Sequence, residues 1–193
     1  MFKKKSIKRE MIEIGVILGI GAILYFTGLH TEVLGGMQRL FLKIGLGEAQ
    51  TEVIEEGQDR ATYNFNLATL DGEVISFEDF KGKTIFLNIW ATWCPPCIAE
   101  MPDIHELSRD MANEDIVFVM LSTDEDIDKV KKFIERKGFT FPVYRMVEQL
   151  PGVFWTQSIP TTFVISPEGK IVFKKLGISN YNTSEFKEYL LSL

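Results

Sequence analysis

Residues 84 to 91, TIFLNIWA, form a nearly continuous apolar run with Asn88 as the polar residue inside it. A strand exposed on one side alternates apolar and polar residues, so a run like this predicts a central strand covered on both faces. Three residues later come Cys94 and Cys97, the only two cysteines of this 193-residue chain, with Pro95 and Pro96 between them. A helix is expected to begin at Cys94 and run to about Met111, turning Ile98, Met101, Ile104 and Leu107 inward. Pro102 lies inside that helix and should kink it, because it has no N–H and its ring clashes with the preceding turn. A buried strand running straight into a helix demands a layered α/β fold.

The rest of the body extends that pattern. TYNFNLATL and EVISF flank Asp71-Gly72, a hairpin signal spanning about residues 62 to 77. A short helix in FEDFKGK follows, capped by Ser76 and ended near Gly82. DIVFVMLSTD reads as a second buried strand. DIDKVKKFIERKG reads as an amphipathic helix with Ile127, Val130 and Ile134 on one stripe and Gly138 at its end. TTFVIS and IVFKKLG pair across the turn PEGK. A last helix is capped by Thr183 and shares a face among Phe186, Leu190 and Leu193. The order predicts a mixed sheet with helices on both faces. Segment 145 to 158, RMVEQLPGVFWTQS, receives no element and no role.

Charge divides the chain. Its net charge is −6, yet five of the first nine residues, Lys3, Lys4, Lys5, Lys8 and Arg9, are basic. From residue 50 onward 14 Lys and Arg face 23 Asp and Glu, a net of −9, which disfavours nucleic acid as a partner. Ile14 to Leu29 carries no charge, and extended back to Met11 it is long enough to span a bilayer. The basic cluster would stay in the cytoplasm and the body would face outward. A cleaved signal peptide or a buried soluble helix would also fit, although no Ala-x-Ala-like site follows the run. The expected organisation is a basic segment at 1–10, a transmembrane anchor at 11–29, a juxtamembrane amphipathic segment and linker at 30–60, and one domain at 61–193. The amphipathic segment could lie on the membrane or pack on the body.

The first turn of a helix offers free N–H groups and a partial positive charge, which stabilise a thiolate, the reactive form of cysteine. Cys94 is expected exposed at that entrance, as the nucleophile that forms a mixed disulfide. Cys97, one turn further in, is the resolving cysteine. A disulfide closing so short a loop is a weak staple. Zinc wants four ligands, and the chain adds only the isolated His30 and a solvated His105. No metal is assigned, although copper held by the two thiolates alone stays open. Pro95 and Pro96 lack N–H donors, so the Cys94 thiolate is less stabilised and the dithiol is a better reductant. Trp93 should flank the sulfur, and Trp90 should be core.

Together, FLNIWATWCPPCIAEMP and SIPTTFVISPEGKIV resemble the membrane-anchored, extracytoplasmic thioredoxin-like proteins of the TlpA/ResA type. The resemblance covers roughly residues 61 to 193. It implies a thioredoxin-like fold, a central mixed sheet flanked by helices with an extra N-terminal hairpin. It implies that Pro160 is cis and faces the disulfide, and that the backbone of Ile159 lines the substrate groove; the residues alone would allow an ordinary strand-edge proline. Asn88 stands where cytosolic thioredoxins carry a buried aspartate. The resemblance gives the proton-handling role to Glu100, three residues after Cys97 on the same helical face, where burial should raise its pKa toward neutrality; a solvated acid early in a helix is the plainer reading.

The implied function is reduction of disulfides in exported proteins, with apocytochrome c as the best-known client type of the family. A membrane electron-conduit thiol reductase would re-reduce the pair. No cofactor is implied beyond the Cys94–Cys97 disulfide. A disulfide oxidase or isomerase, a copper-binding chaperone and a redox-inactive interaction module are the competing functions. Antioxidant activity is not expected, because no peroxide-type Thr-x-x-Cys motif is present.

Overall fold

The computed structural model describes Met11, residues 13–16, 18 and 19, and residues 59–193 apart from 113. The basic segment, most of the expected anchor, and the amphipathic segment and linker up to residue 58 lie outside the described residues. The described residues between 11 and 19 are helical. Among the described residues no helix is long and apolar enough to cross a membrane.

Seven strands form one sheet in the order β2-β1-β5-β4-β3-β6-β7. They are β1 (Asn66–Thr69), β2 (Val74–Ser76), β3 (Thr84–Trp90), β4 (Ile116–Ser122), β5 (Val143–Met146), β6 (Thr161–Ile165) and β7 (Ile171–Leu176). The apolar run is β3, buried at every residue. It pairs in parallel with β4 and antiparallel with β6, so the sheet is mixed. The expected hairpin is β1–β2, turning at Gly72 with φ 91°, a conformation that favours glycine. β1 also pairs with β5, which joins the hairpin to the main sheet. Strand β5 carries too few residues to show a period, and only its last two residues, Arg145 and Met146, fall in the segment 145 to 158 left without assignment.

Three helices follow: α1 (Pro95–Asp110), α2 (Ile127–Lys137) and α3 (Ser184–Leu191). Cys94 is the N-cap of α1 rather than its first residue. Pro95 and Pro96 fill the first two helical positions, where a missing N–H costs no helical bond. Pro102 does not end the helix. Helix α2 is capped by Asp126, whose side chain accepts from Asp128 N and Lys129 N, and it stops at Gly138 with φ 67°. Val130 and Phe133 are its buried residues, with Ile127 and Ile134 partly covered. Thr183 caps α3 as expected.

Among the described residues the α-helices do not lie on both faces, contrary to expectation. Ile98, Met101, Ile104 and Leu107 of α1, Val130 and Phe133 of α2, and Phe186 and Leu190 of α3 all join one core cluster. That cluster contains Phe86, Trp90, Phe118, Met120 and Val164 from one side of the sheet. Ile85, Leu87, Ile89, Val119, Leu121 and Phe163 point the other way and pack with Phe65, Phe77 and Phe154. The cause is topological. The steps β3–α1–β4 and β4–α2–β5 move the same way across the sheet, and right-handed crossovers in one direction place both helices on one face. The far face is closed by short 3-10 turns, Phe77–Phe80 and Gly152–Phe154. Aromatic stacking helps there, with the Phe65 and Phe77 rings 4.4 Å apart.

Candidate active site

Cys94 and Cys97 form a disulfide, with Cα atoms 5.3 Å apart. The Cys97 backbone N–H donates to Cys94 Sγ at 3.3 Å, the sulfur serving as the helix cap. Cys97 is completely buried. Cys94 is only 4% exposed, so the expectation of an exposed entrance sulfur is corrected. One reason is the far side of the site: the Ile159 carbonyl oxygen lies 3.8 Å from Cys94 Sγ. The Ile159–Pro160 peptide bond is cis. Trp93, immediately before Cys94, is 61% exposed, whereas Trp90 is wholly buried in the core as expected. The two cysteines, Ile159 and Pro160 therefore meet at the C-terminal end of β3, beside the start of β6.

Glu100 lies beneath them with no exposed surface. Its solvated alternative is thereby removed. Asn88 Nδ2 donates to Glu100 Oε1 at 2.8 Å and to Thr162 Oγ1 at 2.9 Å. Asn88 and Thr162 face each other directly across β3 and β6. The Ser179 backbone N–H donates to Glu100 Oε2 at 3.1 Å. Burial pushes the Glu100 pKa up from 4.5 to about 8, opposed by the hydrogen bonds from Asn88 and Ser179, and the Asp103 charge adds to the rise. Tyr181, also buried, is pushed well above the ordinary tyrosine value by burial first and by the Glu100 charge second. Asn88 Oδ1 has no hydrogen-bond partner among the described residues. The loop bearing Ser179 is tied to the other side of the site as well, because Gly177 N–H donates to the Pro160 carbonyl at 2.8 Å.

Ser179, Tyr181 and Thr162 were not singled out in the sequence, and neither was Asp124. Asp124 follows β4, and its carboxylate accepts from the backbone N–H and the hydroxyl of Thr92. A signal for it existed: ST-D-E-D lies just past the C-terminal end of a buried strand, where α/β sheets gather their sites. No comparable signal marks Ser179, which acts through its backbone.

His105 is not the solvated histidine expected. Its Nε2 accepts from Thr140 N–H at 3.2 Å and lies 3.0 Å from Thr140 Oγ1. Its ring meets Phe139 and Phe141 edge-on. It stands apart from the cysteines, and among the described residues no three His, Cys, Asp or Glu side chains are grouped to hold a metal ion.

Comparison with known proteins agrees with this geometry. The family model described as Redoxin matches residues 56–190. "Thiol-disulfide oxidoreductase ResA" of Bacillus subtilis is 32% identical over 171 residues, which is 88% of this chain and 85% of that protein. The ResA of Bacillus thuringiensis is 36% identical over 115 residues, 59% of this chain and 66% of the relative, just under two thirds of its length. Among solved structures, StoA from Bacillus subtilis superposes with a TM-score of 0.55 at 27% identity, covering 65% of this chain and 94% of that one.

Proposed function

Because the chain belongs to the Redoxin family and is a thiol–disulfide redox enzyme, we propose that it reduces disulfides in exported proteins from an anchored position outside the cytoplasm. The observation that carries the reading is Glu100, a fully buried carboxyl with a pKa near about 8, three residues after a fully buried resolving cysteine. Such a carboxyl is poised to exchange a proton with a thiol near neutral pH.

The cycle starts from the dithiol. The Cys94 thiolate attacks one sulfur of a client disulfide, forming a mixed disulfide and expelling the first client thiolate. Glu100 takes the proton of Cys97, and the Cys97 thiolate attacks Cys94 Sγ. The Cys94–Cys97 bond forms, the second client thiolate leaves, and two electrons have passed to the client. Ile159 and Pro160 form the edge against which an extended client segment docks, and Trp93 covers the neighbouring side. No cofactor is required.

The direction of electron flow is supported by Pro95 and Pro96. Neither carries an N–H, and the backbone donor given to Cys94 Sγ is that of Cys97. A sparsely stabilised thiolate makes the dithiol a stronger reductant. Localisation rests on the basic residues 3–9 followed by the uncharged stretch to Leu29. In an oxidising compartment the pair needs a membrane thiol reductase as electron donor, and apocytochrome c is the client type the ResA resemblance favours.

The test is the reduction potential of the Cys94–Cys97 pair in the full chain, read by alkylation trapping in dithiothreitol or glutathione buffers. A value near or below about −270 mV supports a reductase, and one near about −120 mV makes the protein an oxidant.

A further inference from the structure

We infer that Asp124 is a positioning residue for polypeptide disulfides, acting through Thr92 on the placement of Trp93 beside Cys94. The inference rests on the thiol–disulfide reading above and assigns a specificity device to that site.

Strands β3 and β4 run in parallel, and Trp90 and Ser122 are partners at their ends. Just beyond, a single carboxylate takes both donors of Thr92. Asp124 Oδ2 accepts from Thr92 N–H at 2.8 Å, and Asp124 Oδ1 accepts from Thr92 Oγ1 at 2.5 Å. The carboxylate is held in turn by Ser122, whose hydroxyl donates to Oδ2 at 2.9 Å and accepts from Asp124 N–H at 3.1 Å. The far end of the turn is closed by Cys94 N–H on the Ala91 carbonyl at 3.2 Å. Of residues 91 to 94, only Trp93 is exposed. Fixing Thr92 therefore fixes where the indole stands relative to the reacting sulfur.

A plainer role would be to tie the ends of β3 and β4 together. Thr123 already does that, donating to the Trp90 carbonyl from its backbone at 2.9 Å and its hydroxyl at 3.3 Å. The Asp124–Thr92 pair lies past the last paired residues, Trp90 and Ser122, and acts one step closer to Cys94. An exposed indole on a rigid stem offers apolar area for a polypeptide flanking its own disulfide to bury. A small disulfide has little to place there. The pair should therefore discriminate between clients by size and apolar surface.

The experiment uses the full chain, pre-reduced, and measures second-order rates of oxidation by insulin and by oxidised glutathione. The readout is the ratio of the two rates. Asp124→Ala should lower the insulin-to-glutathione ratio about tenfold, the scale expected when a charge-assisted hydrogen bond and local positioning are lost. Asp124→Asn can still accept from Thr92 N–H and donate to Thr92 Oγ1, and should restore the ratio to within about threefold. Thr92→Val, which keeps the shape and loses the hydroxyl bond, should lower the ratio part of the way even if Asp124→Ala does not fold. An unchanged ratio, a fall shared equally by both oxidants, or no recovery in Asp124→Asn would overturn the inference and leave the redox reading standing. A wild-type protein oxidised by neither disulfide would remove both.

Discussion

Asn88 Nδ2 lies 2.8 Å from Glu100 Oε1, both residues sealed from solvent, one on the central strand and one on the helix that carries the cysteines. The amide cannot take a proton itself, but it holds the acid that can. One buried donor to each carboxylate oxygen, from Asn88 and from Ser179, stabilises the charged form. Burial opposes them and wins, leaving the pKa near about 8. The same balance lets Glu100 exchange a proton near neutral pH and costs the fold some stability.

That cost is measurable. A carboxyl whose folded pKa lies above its unfolded value binds its proton more tightly in the native state. Its stability contribution is full below about pH 4.5 and is lost as pH rises toward about 8. Glu100→Gln keeps the shape and removes the titration. Denaturant unfolding of the oxidised protein should show the variant gaining a few kcal/mol on the wild type between pH 5 and 9, on the scale of about 1.4 kcal/mol per pKa unit. Parallel pH profiles for the two proteins would contradict the assignment.

Asn88 can be tested through the same proton. Replacing it with Leu removes a hydrogen bond that lowers the Glu100 pKa. The carboxyl then stays protonated to higher pH and accepts the Cys97 proton less readily near neutrality. The pH–rate profile of mixed-disulfide resolution, followed by rapid quench, should move to higher pH in Asn88→Leu. A profile that stays in place would show that Glu100 does not report on this step.

His105 carries a separate acid sensitivity. Its Nε2 accepts the Thr140 N–H, which only a ring nitrogen without a proton can do. Partial burial lowers its pKa first, and the neighbouring Arg109 lowers it further against the opposing Glu106. A histidine with a depressed folded pKa contributes stability above its unfolded value of about 6.5, lost as pH falls through the folded value. His105→Gln, which cannot charge, should flatten the fall in urea midpoint between pH 7 and 5. An equally steep fall in the variant would place the acid sensitivity elsewhere.

What could be read in the sequence, and what could not, follows physical lines. TIFLNIWA was legible as a buried central strand because both of its faces are apolar, and Cys94 and Cys97 were legible because their spacing leaves few other chemistries. Glu100 was legible as one turn beyond Cys97, and its burial only through the family resemblance, since Ser179 and Thr162, which help enclose it, lie far along the chain. Strand β5 escaped because four residues, VYRM, carry no period and take their place only by pairing with β1 and β4. The one-sided layering of the helices escaped because it depends on the order of strands across the sheet. Asp124 had a positional signal, just past the end of a buried strand, but its partner Thr92 is 32 residues away and only the fold sets the two together.

The two cysteines should separate cleanly on trapping. Cys97 is wholly buried, while Cys94 keeps a small exposed surface beside Trp93 and faces the Ile159 carbonyl. A client can therefore meet only Cys94 Sγ directly, and Cys97 is expected to resolve the mixed disulfide. Cys97→Ser should accumulate a mixed disulfide with a disulfide-bearing polypeptide, visible as a band on a non-reducing gel that vanishes on reduction. Cys94→Ser should accumulate almost none, since its remaining thiol is covered. Comparable adducts in both variants would mean that Cys97 becomes accessible in the reduced protein, and the division of labour between nucleophile and resolving cysteine would have to be abandoned.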